Sequence, residues 1–170
     1  MPVLVPCPVR LEASCQNPLS SLNAAMFLQS LTVTNEALSM NASDRHLDPD
    51  TRFFATCDTT PPERLATVEG VRMMGQVDVR KLMVGHEMVM LHVHRKKGLI
   101  DPVHRHDDHE TIAYLIKGRL RLVIGGQEFI ATPGTAWMHP PGVDHFSEAL
   151  EDCEQLEIKS PPRKTWVTED

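Results

Sequence analysis

The chain has 170 residues, with 17 Lys and Arg against 23 Asp and Glu, and a formal net charge of -6 at pH 7. This length allows one domain with a full core, or a smaller domain with an extension, and it argues against two full domains. The acidic balance argues against a general affinity for nucleic acid or for an anionic membrane, so we expect a small-molecule partner.

Neither a leader segment nor a disulfide framework is predicted. The chain starts without a basic stretch followed by an uninterrupted apolar one, and it contains no apolar run of membrane-spanning length. We therefore expect a cytoplasmic protein. Cys7, Cys15, Cys57 and Cys153 are widely scattered, which argues against a structural zinc site or a set of disulfides.

Residues 1–60 differ in composition from the rest of the chain, because prolines break the start and polar residues are dense from 32 to 60. Between these stretches, apolar residues from Leu19 to Leu31 could form one face of a short helix. We expect an irregular or partly helical N-terminal extension over residues 1–60 and a barrel domain over residues 61–170. The extension is either a loosely ordered arm or a segment that covers an edge strand or reaches a second subunit.

From about Ala66 onward the pattern is one of short strands. Successive side chains of a strand point to opposite sides, so Leu91 and Val93 share one face while His92 and His94 share the other. This second His-x-His pair has no partner motif, and we place it on a polar face.

The turns complete the prediction of an all-β fold. Gly125-Gly126 predicts a tight hairpin, because adjacent glycines tolerate positive φ. Roughly eight strands between Glu69 and Lys159 predict an antiparallel sandwich or small barrel. The two prolines after Ser160 predict the end of regular structure.

Two stretches about forty residues apart carry candidate metal ligands. His104 and His106, at positions i and i+2 of a strand, would project from one face and reach the same ion. Glu110 follows them, and the Pro-Pro-Gly turn at 140–142 delivers His145. Imidazole and carboxylate together predict a site for one divalent transition metal per chain, which could be Fe, Mn, Ni or Zn.

These stretches resemble the two motifs of the cupin superfamily. The first motif is a glycine, five residues, His-x-His, three or four residues, Glu, six residues and a glycine, and it matches Gly98, His104, His106, Glu110 and Gly118. The second requires glycine, Pro-x-Gly, His and Asn, and it matches Gly134, Pro140, Gly142 and His145, with Ala149 in the place of the Asn. The resemblance implies an antiparallel jelly-roll β-barrel with the metal inside and, commonly, a homodimer.

The two ends of the first motif disagree by one residue. Seven residues separate Glu110 from Gly118, so counting six back from the glycine gives Thr111. If strand register follows Gly118, Glu110 points to the opposite face and the site has three histidines, as in some cupin-type dioxygenases. If a bulge at Asp107-Asp108 absorbs the extra residue, Glu110 reaches the metal. At this point both alternatives stay open.

The end of the barrel looks like that of small bacterial cupins of the pectin-degradation type, which open unsaturated uronates to linear keto sugars. In that group an acidic residue, an aromatic residue and an Arg line the pocket, and Glu157, Lys159 and Arg163 stand at these positions. The resemblance implies that Glu157 moves a proton and that Arg163 holds a substrate carboxylate. The alternative is that Glu157 and Arg163 form a surface pair. Lys159 replaces the aromatic residue, which leaves the substrate open.

Three functions are compatible with these patterns. The first is a metal-dependent isomerase or lyase acting on a sugar acid or another small polar carboxylate. The second is an iron-dependent dioxygenase, favoured if the site has three histidines. The third is a non-catalytic cupin that binds or senses a metabolite, for which the N-terminal extension would be the argument.

Overall fold

The computed structural model describes residues 45–169, which form twelve strands and no helix. The strands are β1 Glu63–Val68, β2 Val71–Arg72, β3 Val77–Val84, β4 Val89–Arg95, β5 Ile100–His104, β6 Glu110–Lys117, β7 Leu120–Ile124, β8 Gln127–Ala131, β9 Ala136–His139, β10 His145–Ala149, β11 Cys153–Ser160 and β12 Trp166–Thr168. No helix in this range has the length and hydropathy needed to cross a membrane.

The strands form two antiparallel sheets. The larger sheet has eight strands in the order β12-β1-β3-β4-β11-β6-β9, with β2 paired to β1, and the smaller one has the order β5-β10-β7-β8. Leu91 of the larger sheet and Leu122 of the smaller one belong to the same buried core, so the two sheets face each other across one interior. This is the all-β antiparallel barrel that the sequence predicts.

Alternation along the central strands defines the inner face of the larger sheet. Val77 and Val79 of β3 and Leu91 and Val93 of β4 are at most 3% exposed, and all belong to one apolar core. His92 and His94 point outward between them. The predicted division of β4 into an apolar face and a histidine face is confirmed.

Gly118 lies in the turn between β6 and β7, close to the start of β11. Its φ is +90°, and an added Cβ would lie 2.7 Å from Cys153 Sγ and closer still to the carbonyl oxygen of Asp152. Only glycine fits both this backbone conformation and this close approach. The predicted hairpin at Gly125-Gly126 is confirmed between β7 and β8, with both glycines at positive φ.

Three expectations from the sequence need correction. The strands begin before Ala66, with β1 at Glu63, and regular structure resumes after the prolines as β12, which pairs with β1. The pairing of β1 with β12 joins segments far apart in the chain, which local patterns do not reveal. His106 lies two residues beyond the end of β5 and not on it. The helix predicted between Leu19 and Leu31 lies outside the described residues.

Candidate metal centre

Three histidines meet inside the barrel. His104 ends β5 and His145 begins β10, and the two residues are cross-strand partners in the smaller sheet. His106 follows in the next loop, which is tied down where the Gly142 amide donates to the His106 carbonyl oxygen at 2.6 Å. All three side chains are buried, and each offers one ligand atom within 4.8 Å of the other two.

Each of these rings has its Nδ1 atom engaged by an acceptor. His104 Nδ1 lies 2.8 Å from the Pro102 carbonyl oxygen, and His145 Nδ1 lies 3.0 Å from the Val143 carbonyl oxygen. A carbonyl oxygen only accepts, so Nδ1 must carry the proton in both rings. Nε2 is then the nitrogen with a free lone pair, as metal binding requires.

Glu69 provides the corresponding acceptor for His106. Its Oε1 atom lies 2.7 Å from His106 Nδ1 and also accepts from the Arg45 guanidinium. Burial raises the pKa of Glu69, and the charge of Arg45 opposes that shift. Glu69 lies in the short turn between β1 and β2, with a positive φ of 50°. A carboxylate that orients a ligating histidine is a common feature of protein metal sites.

The structure does not bring Glu110 to the histidines. Glu110 is exposed, whereas Thr111 is 2% exposed and lines the interior between His139 and Lys159 in the sheet register. The reason is that β6 alternates regularly from Glu110 to Leu115, with Glu110 on the outer face and Thr111 on the inner one, and its register shift against β11 lies beyond this stretch, at Ile116. Of the candidate ligands, His104, His106 and His145 come together and Glu110 stands apart.

Two of these histidines, His106 and His145, are held neutral. Burial, together with the charge of Lys159, lowers the pKa of His106 far below its usual range, and burial also lowers that of His145. The His139 ring stacks on His145 with centroids 3.9 Å apart and so restricts its orientation. Neutral, oriented imidazoles with free Nε2 atoms fit a first-row divalent metal.

A cavity of about 40 Å³ adjoins the three histidines. This volume holds a few water molecules, since one water needs roughly 10–15 Å³ measured in this way. Its polar lining includes Glu157 and Lys159 of β11, whose side chains both point inward, and Arg95 of β4. A sugar acid is larger than this space, so binding one requires side chains at the cavity to move.

Glu157 is held as a carboxylate by its neighbours. Gln155 Nε2 donates to Glu157 Oε1 at 2.6 Å, and Arg95 Nη2 donates to the same atom at 3.4 Å. Burial acts to raise the pKa of Glu157, but the charges of Lys159 and Arg95 and these hydrogen bonds outweigh it, so the pKa lies below its usual range. Glu157 can therefore accept a proton at neutral pH.

Lys159 is the second charged group that β11 presents to the cavity. It is 4% exposed, donates to Thr165 Oγ1 at 2.6 Å and lies 5.5 Å from the centre of the Trp166 ring. Burial lowers the pKa of Lys159, and the carboxylate of Glu157 opposes that shift. A buried ammonium beside a carboxylate can bind an anion or exchange a proton.

Arg163 is placed away from the cavity. Its Nε atom lies 3.2 Å from Asp108 Oδ2 and its Nη1 atom 2.9 Å from His46 Nδ1. Pro161 and Pro162 lead the chain out of β11. The Arg163 guanidinium therefore contacts Asp108 and His46 and does not reach Glu157. Of the two predicted catalytic residues, only Glu157 lines the cavity.

Known proteins resemble this chain in sequence and in fold. The family model described as Cupin domain matches residues 91–158. Pectin degradation protein KdgF from Dickeya dadantii (strain 3937) is 33% identical over 118 residues, which are 68% of this chain and 98% of that protein. The chain belongs to the cupin family. Its likeness to a pectin-degradation cupin, expected from residues 156–163, is thereby confirmed.

Two solved cupin structures have the same fold. KdgF from Halomonas sp. matches with a TM-score of 0.50 and 24% identity, covering 52% of this chain and 81% of that one. An RmlC-like cupin from Shewanella frigidimarina matches with a TM-score of 0.57 and 22% identity, covering 65% and 92%. The jelly-roll barrel of this cupin is therefore shared with proteins of low sequence identity.

The sequence patterns of this cupin missed two groups at the centre. Glu69 lies outside both motifs and reaches His106 from 37 residues away, so no local spacing marks it. Arg95 begins the basic run Arg95-Lys96-Lys97, which is typical of a solvated turn, yet it is 8% exposed and bridges Asp101, Ser147 and Glu157. The sequence does contain one signal for its burial, because Arg95 continues the alternation of β4 on the same face as Leu91 and Val93.

Proposed function

We propose that this cupin is a metal-dependent enzyme of the isomerase or lyase type that acts on a small polar carboxylate, with unsaturated uronates as the first candidates. One observation carries the proposal: three buried histidines with engaged Nδ1 atoms adjoin a cavity into which Glu157 and Lys159 also point. The relative named as a pectin degradation protein supports the substrate class.

The side chains at the cavity divide the chemistry among them. When bound, a divalent metal polarises an oxygen of the substrate. Glu157, ionised by its neighbours, accepts a proton from the substrate carbon or hydroxyl group, and Arg95 and Gln155 hold its carboxylate in place. Lys159 holds a substrate carboxylate, the role that the resemblance assigned to Arg163, or returns the proton. This set moves a proton between two atoms of one substrate, as ring opening or isomerisation requires.

Turnover of unsaturated uronates tests the proposal. We expect the metal-loaded protein to remove the ultraviolet absorbance of their conjugated double bond and to yield linear keto products visible by NMR. Glu157→Gln should lower kcat by about 100-fold or more while metal content is unchanged, because general acid–base catalysis contributes roughly that much.

Glu128→Gln is the matched control, since Glu128 is an exposed glutamate paired with Arg121 on the smaller sheet. It should retain full activity. Equal activity in Glu157→Gln and Glu128→Gln would exclude Glu157 from the chemistry, and no turnover across a panel of uronates and related acids would overturn the proposal.

A second candidate is an iron-dependent dioxygenase. It is favoured by Thr111, which stands where a carboxylate ligand would otherwise come from β6 and leaves three histidines as the protein ligands. Oxygen consumption by the Fe(II)-loaded protein with candidate enols would support this function. Uronate turnover without oxygen would exclude it as the main activity.

The proposal includes a homodimer. On the outer face of the larger sheet, Ile112, Tyr114 and Ile116 of β6 and Met138 of β9 are each between 41% and 47% exposed and lie side by side. Covering such an apolar patch is favourable by about 25 cal/mol per Å² of buried area. Light scattering after size-exclusion chromatography should give twice the monomer mass, and Tyr114→Glu should shift it towards the monomer.

A further inference from the structure

The outer face of the larger sheet carries a second group of potential metal ligands. His92 and His94 project outward from β4, and Glu154 of β11 is the cross-strand partner of His94. The ligand atoms of these three residues all lie within 4.8 Å of one another. The sheet itself holds this arrangement, since both spacings are fixed by strand geometry.

We propose that His92, His94 and Glu154 form a second site for a divalent metal ion of the zinc class, separate from the histidines inside the barrel. Two imidazoles and a carboxylate are a ligand set that zinc uses, with water in the fourth position. The centre lies on the opposite face of β4 from Leu91 and Val93, which line the barrel cavity. The two sites therefore share no residue.

His92 is already oriented as a ligand. Its Nε2 atom lies 2.8 Å from Glu154 Oε1, and its Nδ1 atom lies 3.2 Å from Cys57 Sγ. The ring is thus held at both ends, and an ion that replaces the hydrogen bond to Glu154 finds Nε2 and the carboxylate in position. Cys57 lies at the far nitrogen, where a partner that fixes ring orientation is expected.

The site is accessible from solvent. A groove of about 230 Å³ lies beside His94 and Glu154, and the Glu154 side chain is 33% exposed, so an ion and its water can enter. Asp78 and Arg80 of β3 flank His94 and His92 in the sheet register, and Asp78 is paired with Arg64. Lys96, paired with Asp152, and Lys117 also line the groove. These neighbouring charges are more basic than acidic, so the ligand atoms themselves have to supply the binding.

Counting metal equivalents tests the proposal. The full chain, freed of metal with a chelator, is titrated with Zn²⁺ against a chromophoric competitor, and Co²⁺ absorption is recorded in parallel. We expect two equivalents per chain, falling to one in His94→Ala and in Glu154→Gln. His86→Ala removes an exposed histidine outside both groups and should leave two equivalents.

The outcomes separate this site from the one inside the barrel. His106→Ala should retain the outer equivalent, so a single equivalent that is lost in His94→Ala supports the outer site even if the inner one fails. The proposal would be overturned if His94→Ala and Glu154→Gln both bound as many equivalents as the wild type, whether that number is two or one. Thermal unfolding of each variant confirms that the protein is folded, since His94 and Glu154 are only partly buried.

Discussion

The barrel contains the same pattern, His-x-His, on its two faces with different surroundings. Inside, backbone carbonyl oxygens and Glu69 engage the Nδ1 atoms around His104 and His106, and a charged pair on β11 adjoins the rings. Outside, His92 is bonded to Glu154 and Cys57 beside an open groove. The pattern itself is therefore uninformative, and the neighbours decide which pair can serve a reaction.

The largest effect is expected when the inner pair is broken. His106→Ala removes one of three protein ligands and should weaken inner metal binding by more than about 100-fold, since even the loss of an orienting partner costs 10- to 100-fold. Competition titration with Zn²⁺ measures this change. Unaltered affinity in His106→Ala would place the inner metal elsewhere.

The next largest effect concerns Gly118, in the turn between β6 and β7. Gly118→Ala should lower the free energy of unfolding by roughly 3 kcal/mol or more, because left-handed strain and a collision with Asp152 and Cys153 add together. Gly126→Ala is the control, with a similar positive φ but open space around it, and should cost only about 1 kcal/mol. Equal losses in urea unfolding would show that the close approach to Asp152 and Cys153 adds no cost at Gly118.

A smaller effect distinguishes Glu69, which bonds to His106, from Glu110, which the motif spacing offers as a metal ligand. Glu69→Gln should weaken inner metal binding by about 10- to 100-fold, because His106 loses its charged acceptor. Glu110→Gln should change it by less than about twofold, since Glu110 is exposed and away from the rings. If Glu110→Gln had the larger effect, Glu110 would face the metal, as a bulge at Asp107-Asp108 would allow.

The smallest effect is a dependence on pH inside the barrel. Burial, with the nearby Lys159 charge, lowers the pKa of His109 from 6.5 to about 4 in the folded protein. Below pH 6.5 the unfolded chain binds a proton that the folded one does not, so stability is full above that pH and falls towards pH 4.

Between pH 7.5 and 6, His109 should account for about 1 kcal/mol of lost stability in the metal-free protein. Urea unfolding at both pH values, for the wild type and for His109→Gln, measures this share. The variant should show the shallower pH dependence, and parallel curves would show that His109 titrates freely.

Much of the fold could be predicted from local patterns. Alternation separated the two faces of β4, the glycine pair marked the β7–β8 hairpin, and the count back from Gly118 already selected Thr111, which is buried, over Glu110, which is exposed. What local patterns could not supply were contacts between distant segments. β12 follows two prolines and forms only because β1 offers it a partner.

The same limit applies to the metal centre. His104 and His145 stood in recognisable motifs, but Glu69 is a turn residue whose role depends on the fold that carries it to His106. Arg163 was assigned from its position after two prolines, and only the structure shows that Asp108 and His46 engage it. Side chains that act through long-range neighbours cannot be assigned from spacing.

The most direct test is anomalous X-ray diffraction from a crystal of the protein loaded with Zn²⁺. The account predicts a peak inside the barrel at about 2.0–2.1 Å from Nε2 of His104, His106 and His145, with Glu69 still bonded to Nδ1 of His106. A barrel without a peak between these three rings, or with a peak bonded to Glu110, would contradict it.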